Sequence, residues 1–136
     1  MKKVIYPGTF DPPHLGHVDI VTRASLIFEN IFIAIAKNPH KNPMFDAFKR
    51  KELFNKIIEA ENLKNVYVEV FDTTLVEYAK AKDINVIIRG VRLFTDFEYE
   101  LQISMSNHRI GGLETLFMMP SQDYIHISST IVRDLI

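Results

Sequence analysis

Residues 2–36, KKVIYPGTFDPPHLGHVDIVTRASLIFENIFIAIA, contain the pattern that decides the fold. Two short apolar runs begin and end this stretch, KKVIY (2–6) and NIFIAIA (30–36), and such continuous apolarity is typical of strands that are covered on both faces. Between them, apolar residues recur at the spacing of one helical face, which is formed by Val18, Val21, Ala24 and Phe28. The stretch therefore predicts a strand, a helix and a second strand.

The same alternation continues through the rest of the chain. Three more strand-like runs follow, NVYVEV (65–70), NVIIR (85–89) and ETLFMM (114–119). Helical faces between the strands are marked by Leu53, Ile57 and Ala60, by Leu75 and Ala79, and by Phe97, Leu101 and Met105. Candidate N-caps are Asp46, Thr73 or Thr74, Thr95 and Ser128. This order predicts an α/β, Rossmann-like fold in a single domain, with a five-stranded parallel sheet, helices on both faces and right-handed crossovers.

The composition limits the classes of partner. The 136 residues carry a net charge of −1, so we expect no general affinity for nucleic acid or for an anionic membrane, which needs a basic excess. The absence of cysteine excludes disulfides, thiolate catalysis and cysteine-based zinc sites, and it suits a reducing compartment. The longest apolar run, 31–36, is too short to span a bilayer, and the first residues do not resemble a signal peptide. We therefore expect a soluble, cytoplasmic domain.

Unusual polar residues follow each predicted strand. The five segments are GTFDPPHLGH (8–17), KNPHKNPMF (37–45), FDTT (71–74), RGVR (89–92) and PSQDYIHISST (120–130). Because parallel strands all end at one edge of a sheet, the five segments are expected on the same rim, where α/β folds bind their ligands. The sequence therefore predicts the functional site at that rim.

The first of these segments favours a phosphate site. Gly8 permits a positive φ or a close backbone approach, and the helix predicted after Gly16 has free N–H groups and a positive dipole end that attract phosphate. His14 and His17 are three residues apart, so both imidazoles can face the same side and donate to phosphoryl oxygens. Two alternatives stay open: a metal site with Asp11 as the third ligand, and a capped helix with incidental histidines.

Basic side chains after the second and fourth strands favour further anion contacts. Lys41 lies in a Pro-Asn loop, Arg89 ends a buried strand and Arg92 follows it. Guanidinium groups bind phosphate in a bidentate fork, so two of them at one strand end indicate a polyphosphate ligand. The structural alternatives are a solvated lysine and arginines that pair with Asp96, Glu98 or Glu100.

The segment ISST (127–130) begins the last predicted helix. Ser128 suits its N-cap, and the next two hydroxyls add donors beside free N–H groups, which is typical of a second anion-binding helix start, although capping alone explains part of the pattern. The chain has no G-x-G-x-x-G, no Walker loop and no G-x-S-x-G elbow. Without an activated nucleophile on the protein, these groups indicate direct transfer between two bound substrates, by positioning and by charge stabilisation.

Four stretches carry a resemblance to a known family: YPGTFDP with GH (6–17), KNPMF (41–45), IRGVR with DFEYELQ (88–102), and MMPS with ISST-x-VR (118–133). By these motifs the chain resembles the bacterial phosphopantetheine adenylyltransferases, a branch of the nucleotidyltransferase superfamily with H-x-G-H and I-S-S-[ST] motifs. The resemblance implies attack by the phosphate of 4′-phosphopantetheine on the α-phosphate of ATP. The products would be dephospho-coenzyme A and pyrophosphate, in the penultimate step of coenzyme A biosynthesis.

The resemblance also implies roles for individual residues. Thr9 and His17 would contact the reacting α-phosphate, and Lys41 would steady the transition state, so these three would be catalytic. Phosphopantetheine would be bound by Thr9, Lys41, Leu75 and Arg89. ATP would be contacted by Thr9, Phe10, His17, Gly90, Val91, Arg92, Glu100, Tyr124, Ile125, His126, Ile127, Ser128, Ser129 and Thr130.

Other family features are expected through the same resemblance. Members use Mg²⁺ held mainly by the phosphates of ATP, with no metal site on the protein; they form homohexamers, and coenzyme A inhibits them in the same pocket. They usually continue with a C-terminal helical segment, so the resemblance implies a nucleotidyltransferase domain over residues 1–136 that lacks it. Two alternatives stay open. The HLGH form (14–17) with ISST is more usual in nicotinate mononucleotide adenylyltransferases, and a non-catalytic ATP-binding module would share the architecture.

Overall fold

The computed structural model describes residues 3–37, 43–91, 94–119 and 121. Within this part of the chain, strands and helices alternate as β1 (Lys3–Gly8), α1 (Leu15–Ile27), β2 (Asn30–Ala36), α2 (Ala47–Ala60), β3 (Val66–Phe71), α3 (Leu75–Lys82), β4 (Val86–Gly90), α4 (Phe94–Gly111) and β5 (Glu114–Met118). The five predicted strands and the four helices between them are confirmed. The bounds of β2 agree with the prediction, and those of the other strands differ by one or two residues.

These strands form one parallel sheet in the order β3-β2-β1-β4-β5. β1 is central, and its Ile5 pairs with Phe32 of β2 on one side and with Ile87 of β4 on the other. The chain first extends the sheet from β1 to β3 and then continues with β4 on the opposite side of β1. The gap between the carboxyl ends of β1 and β4 is therefore the switch point at which α/β sheets bind ligands. The predicted Rossmann-like α/β fold is confirmed.

Side chains alternate along the strands into two cores. Val4 and Tyr6 of β1 belong to the core that α1 and α2 cover, whereas Ile5 between them belongs to the core that α3 covers. Successive side chains of a strand point to opposite faces of the sheet. Helices therefore cover both faces, which is why the strands have the near-continuous apolarity that marks them in the sequence.

The helix starts follow the sequence in most places. Asp46 caps α2, and Thr74 rather than Thr73 caps α3, each by accepting an N–H from the first turn with its side chain. The prediction of Thr95 as an N-cap is wrong, because α4 has already begun at Phe94. The cap at Ser128 lies outside the described residues.

α2 buries a different face from the predicted one. Instead of Leu53, Ile57 and Ala60, its buried residues are Ala47, Arg50, Phe54 and Ile58. The two faces are one residue apart, about 100° around a helix. The sequence pattern was ambiguous because the buried face includes an arginine, a residue type that is rarely buried completely.

α4 turns a largely polar face toward its own chain. Its less exposed residues are Phe97, Glu100, Ser104, Asn107 and Gly111. Of the predicted apolar face, only Phe97 is on the inner side, while Leu101 is 40% and Met105 is 65% exposed. That prediction is therefore wrong for two of three residues, and the apolar side of α4 faces away from the other residues that the structure describes.

Candidate active site

The site lies where β1 and β4 end side by side. Arg89, near the end of β4, donates from Nη1 to the carbonyl of Pro7 in β1 at 2.8 Å. Thr9 and Phe10 leave β1 at this point, and Gly90 ends β4. The fold therefore brings together, on one rim, residues from distant parts of the sequence for which ligand contacts were predicted.

The two histidines close the first turn of α1. His14 is the N-cap: its Nδ1 accepts the N–H of Gly16 at 3.1 Å, and Nδ1 of His17 accepts the N–H of His14 at 3.1 Å. This is a capping box built from imidazoles, where a hydroxyl and a carboxylate are usual. The rings stack with their centroids 3.7 Å apart. The helix begins at Leu15, so Gly16 lies inside the first turn rather than before it.

These capping contacts fix the tautomer of both rings. A ring nitrogen that accepts a hydrogen bond carries no proton, so each neutral imidazole has its N–H on Nε2. His17 therefore presents a donor at Nε2, while the dipole of α1 favours an anion at the same helix end. The N–H groups of Gly16, His17 and Val18 in the first turn donate to His14. Capping and phosphate binding are thus compatible functions of this pair.

Phe10 adopts a left-handed backbone conformation, with a φ of 52°, which is uncommon for a residue with a side chain. Its buried ring packs edge-on against Tyr6, His17 and Phe54, with centroids 5.2, 4.8 and 5.1 Å away. The ring also comes within 2.9 Å of the position that a Cβ on Gly8 would take. Gly8 therefore provides the close approach that was one of its two predicted uses, and the positive φ occurs at Phe10 instead.

Glu100 of α4 holds Arg89 in one orientation. Nε and Nη2 of Arg89 donate to the two carboxylate oxygens at 2.8 and 2.5 Å. Burial lowers the pKa of the Arg89 guanidinium, but the hydrogen bonds and charge of Glu100 outweigh it, so the pKa lies above its ordinary value and the group stays charged. The structural alternative for Arg89, pairing with Glu100, is therefore correct. These contacts use one N–H of each Nη group, and the second N–H of each remains available for a phosphate.

Gly90 and Val91 are fixed by the packing around the end of β4. The side chain of Ile20 in α1 occupies the space that a Cβ on Gly90 would need. Val91 is buried, and its N–H donates to the carbonyl of Met118 at 3.0 Å. This glycine therefore allows the close fit of α1 against β4, and its contact with ATP stays a prediction.

Leu75 begins α3 on the same rim, but beside β3 at the edge of the sheet. It is half-buried and packs against the core under α3. Its place on the helical face is confirmed, and its contact with phosphopantetheine stays a prediction.

Arg50, which the sequence analysis did not assign to the site, lies buried beneath it together with Asp11, which was considered there only as a metal ligand. Arg50 is completely buried and donates to backbone carbonyls, including that of Thr9 at 2.7 Å. The carboxylate of Asp11 accepts the N–H groups of Met44 at 2.8 Å and Phe45 at 3.0 Å. Arg50 recurs at helical spacing with the apolar residues of its face, and that periodicity is the signal that could have identified it.

The metal alternative for the first loop is not supported by these contacts. Both oxygens of Asp11 accept backbone N–H groups, and Nδ1 of His14 and of His17 does the same. Across the described ranges, no group of three histidine, aspartate or glutamate side chains is placed to hold a metal ion. The loop is therefore organised by hydrogen bonds between side chains and backbone.

A second unassigned network joins α1 to the chain after β5. Oδ2 of Asp19 accepts the N–H of Ser121 at 2.8 Å and a guanidinium N–H of Arg23 at 3.1 Å, and Arg23 also donates to the carbonyl of Met119. These contacts fix the position from which the chain continues toward residues 124–130. The remaining predicted site residues lie outside the described part of the chain: Lys41, Arg92, Tyr124, Ile125, His126, Ile127, Ser128, Ser129 and Thr130.

Comparison with known proteins assigns the family. The cytidylyltransferase-like family model matches residues 5–135, and a phosphopantetheine adenylyltransferase from Aquifex aeolicus is 59% identical over 134 residues, 98% of this chain and 82% of that protein. The chain belongs to the phosphopantetheine adenylyltransferase family. A second member, from Campylobacter jejuni, is 49% identical over 133 residues, 97% of this chain and 83% of that protein. The resemblance carried by the sequence motifs is confirmed.

Solved structures with low sequence identity share the fold of this family member. A Plasmodium falciparum nicotinic acid mononucleotide adenylyltransferase complexed with NaAD has a TM-score of 0.68 at 14% identity, over 98% of this chain and 71% of that one. A Francisella tularensis bifunctional NMN adenylyltransferase/ADP ribose pyrophosphatase complexed with AMP and a manganese ion also has a TM-score of 0.68, at 16% identity, over 98% of this chain and 41% of that one. At these identities the similarity concerns the fold alone.

Proposed function

We propose that this chain is an enzyme that transfers the adenylyl group of ATP to 4′-phosphopantetheine, yielding dephospho-coenzyme A and pyrophosphate. This is the penultimate step of coenzyme A biosynthesis. The observation that carries the proposal is the pairing, at one switch point, of the histidine-capped start of α1 with the guanidinium of Arg89. The helix start suits a nucleotide phosphate, and the guanidinium suits an acceptor phosphate. Family membership supports the choice of acceptor.

The reaction balances without a nucleophile on the protein. A phosphate oxygen of the acceptor attacks the α-phosphorus of ATP, a new P–O bond forms, and the bond to the bridging oxygen breaks to release pyrophosphate. Nε2 of His17 donates to an α-phosphate oxygen and stabilises the charge of the pentacovalent transition state, with Thr9 as a second contact. Lys41 and Arg89 bind the acceptor phosphate, and Leu75 contacts the pantetheine arm.

The nucleotide would lie between the start of α1 and the end of β4. Phe10, Gly90, Val91 and Arg92 contact it in this proposal, together with residues 124–130. The bonds from Asp19 and Arg23 to the chain after β5 support the last group, because they hold the entry to that segment against α1. Glu100 orients Arg89, since both of its oxygens accept from that side chain, and its predicted contact with ATP stays part of the proposal.

Mg²⁺ is proposed to enter with ATP, held mainly by its phosphates. The donor set of the described residues fits this arrangement, because the buried carboxylates at the rim already accept other hydrogen bonds: Asp11 from backbone N–H groups and Glu100 from Arg89. When bound, the ion neutralises part of the charge of the triphosphate.

The proposal also covers the oligomeric state of the enzyme, its inhibition and its location in the cell. A homohexamer is supported by the outward apolar side of α4, where Tyr99, Met105 and Ile110 are each about two-thirds exposed. Coenzyme A would inhibit by occupying the acceptor pocket. Among the described residues, no helix reaches the length and apolarity that a membrane span requires, and we propose a cytoplasmic enzyme without nucleic-acid or membrane partners.

A second candidate acceptor is nicotinate mononucleotide. The HLGH form of the first motif, with the ISST segment, favours it. The chemistry at the α-phosphate would be the same, and only the group that attacks would differ.

Release of pyrophosphate from Mg-ATP, measured with each acceptor in turn, tests the proposal. We expect turnover with 4′-phosphopantetheine and formation of dephospho-coenzyme A by mass spectrometry. Turnover with nicotinate mononucleotide alone would replace the first candidate by the second. ATP binding without pyrophosphate release with either acceptor would indicate the non-catalytic module.

A further inference from the structure

Arg50 lies on the second turn of α2, and its side chain reaches the carboxyl ends of β1 and β2 from below the site. The guanidinium is completely buried. It donates to four backbone carbonyls: Thr9 at 2.7 Å, Ala36 at 3.0 Å, Phe45 at 3.0 Å and Lys37 at 3.5 Å. One side chain therefore joins the loop after β1, the end of β2 and the entry to α2.

Burying a charged group in this position lowers the stability of the fold unless its charge is compensated. Burial lowers the pKa of the Arg50 guanidinium, and the charges of Asp11 and Asp46 only partly oppose this effect. Its acceptors within the described residues are neutral carbonyls, which compensate a buried charge less well than a bidentate carboxylate does. An apolar side chain in a well-packed core often stabilises a protein as much as a buried ion does. Stability alone is therefore a weak explanation for an arginine here.

The contacts of Arg50 form a closed ring with those of Asp11. Arg50 binds the carbonyl of Thr9, and Asp11, two residues further on, accepts the N–H of Phe45 at 3.0 Å. The carbonyl of Phe45 in turn accepts from Nε of Arg50 at 3.0 Å. The peptide between Thr9 and Asp11 contains Phe10 with its positive φ, so the ring fixes the point at which the chain turns toward the histidine-capped helix start.

We propose that Arg50 is a positioning residue for adenylyl transfer. Through the carbonyl of Thr9 it fixes the loop that presents Thr9 and His17 to the α-phosphate, and through β2 it fixes that loop relative to the sheet. This inference rests on the proposed function. Arg50 itself is completely buried and donates to backbone carbonyls, so we assign it a geometric contribution.

The test compares Arg50→Lys with a core variant of the same helix. Lysine keeps the charge, but its donors all lie on one nitrogen, so it cannot reproduce contacts that Arg50 makes from Nε, Nη1 and Nη2 to carbonyls of different segments. We expect kcat for pyrophosphate release to fall about 10- to 100-fold, the loss typical of a small displacement of reacting groups, while the ATP Kd changes less than about threefold. Ile58→Val, two turns further along α2 and also buried, is the matched control. It lowers Tm without lowering kcat.

A folded Arg50→Lys enzyme with kcat within about twofold of wild type, measured well below its Tm, overturns the inference. If Arg50→Lys does not fold, Asp11→Asn tests the same ring of hydrogen bonds, because it weakens the contact with Met44 and Phe45. An unchanged kcat in Asp11→Asn would also overturn the inference. Hydrogen exchange distinguishes a failure of the positioning role from a failure of the proposed function. Even if wild type does not turn over phosphopantetheine, the amides of Met44 and Phe45 should exchange faster in Arg50→Lys than in Ile58→Val, and equal rates contradict the positioning role.

Discussion

At the scale of single residues, His14 and His17 divide one motif into two functions. Both use Nδ1 to bind the backbone of the first turn of α1, so the protons of the neutral rings lie on Nε2. His14 is the N-cap, a structural position that serine, threonine or asparagine commonly fill. His17 is the residue three positions inside the helix, where its Nε2 proton can meet a phosphate bound at the helix start.

Replacing His17 by glutamine separates its capping hydrogen bond to the N–H of His14 from its proposed catalytic contact. Glutamine at this position of a capping box keeps an acceptor for the N–H of the N-cap residue, so the helix start should remain formed. We expect kcat to fall about 100- to 1000-fold with the ATP Kd within about threefold of wild type. The amide of glutamine does not place its N–H at the position of the imidazole Nε2 proton, and that contact acts on charge that develops in the transition state. Steady-state pyrophosphate release and calorimetric ATP binding measure the two quantities.

His14→Thr is the comparison for that variant, because it replaces the imidazole cap by a hydroxyl cap. The free energy of unfolding should change by less than about 1 kcal/mol, and most of kcat should remain. A loss of kcat as large as that of His17→Gln would assign a substrate contact to His14. A His17→Gln enzyme that loses ATP binding but keeps kcat would contradict the transition-state role.

Arg89→Lys tests whether the clamped guanidinium binds the acceptor. Lysine keeps the charge opposite buried Glu100 but loses the fork that can bind Glu100 and a phosphate together. The KM for phosphopantetheine should rise about tenfold or more, and the KM for ATP should change less than about threefold. Arg109→Lys on the exposed surface of α4 is the control. Unchanged acceptor KM in Arg89→Lys would leave Arg89 as a structural partner of Glu100 only.

The residues that could be predicted from the sequence are those whose chemistry stands out against a local pattern. Arg89 at the end of an apolar strand and the histidines between prolines and glycines were identified for this reason. The roles of Arg50, Asp11 and Asp19 could not be, because each acts through backbone groups that are distant in the sequence. Helical spacing could have indicated only that Arg50 is buried, and Asp11 was considered only as a metal ligand. Nothing in the local sequence of an aspartate shows which N–H groups the fold will bring to it.

At the scale of elements, strands were predicted more accurately than helix faces. A strand buried on both faces is apolar throughout, so its pattern does not depend on orientation. The inner face of a helix depends on its partners: α2 turns Arg50 inward to bind carbonyls, and α4 turns Glu100 inward to bind Arg89. In both helices a buried charged side chain that is held by hydrogen bonds shifts the face away from the one that apolar spacing indicates.

β3 and α3 are joined by a half-buried ionic network that should make stability depend on pH. Glu69 accepts from Tyr78 at 2.5 Å and from Lys82 at 2.6 Å. Burial raises the pKa of the Glu69 carboxyl, but the hydrogen bonds from Lys82 and Tyr78 and the lysine charges outweigh it, so the pKa lies below its ordinary value of 4.5. The stabilisation is therefore complete above that value and is lost as the pH falls through the lower pKa of the folded state.

Glu69→Gln should accordingly lower the free energy of unfolding by about 1 kcal/mol at pH 7. The difference from wild type should shrink as the pH falls below 4.5, the ordinary value of the carboxyl pKa. Urea unfolding at a series of pH values measures this difference in the free energy of unfolding. Glu59→Gln, on the exposed surface of α2, should show no comparable pH-dependent difference. A difference that stays constant between pH 7 and acid would show that the carboxylate charge does not stabilise this network.

At the scale of the whole molecule, the order of the strands determines where the site lies, and the outer side of α4 indicates where subunits would meet. The reversal of strand order beside β1 gives the site its position. The alternation of strands and polar loops predicted the rim of the sheet on which the site lies, but not the order of the strands. The exposure of Met105 and Ile110 could not be predicted either, since only the folded chain shows that the apolar side of α4 has no cover within the described residues. We infer that other copies of the chain cover it in the proposed homohexamer.

Met105→Glu combined with Ile110→Glu should therefore disrupt assembly. Wild type should sediment at about six times the chain mass of 15.8 kDa, and the double variant at a smaller multiple, because two carboxylates would be buried without partners in the subunit contact. Leu26→Glu on α1, where the leucine is 84% exposed, makes the same chemical change elsewhere and should leave the hexamer intact. Sedimentation velocity at several protein concentrations distinguishes these species. A wild-type monomer would refute the hexamer, and a double variant that remains hexameric would show that a different surface forms it.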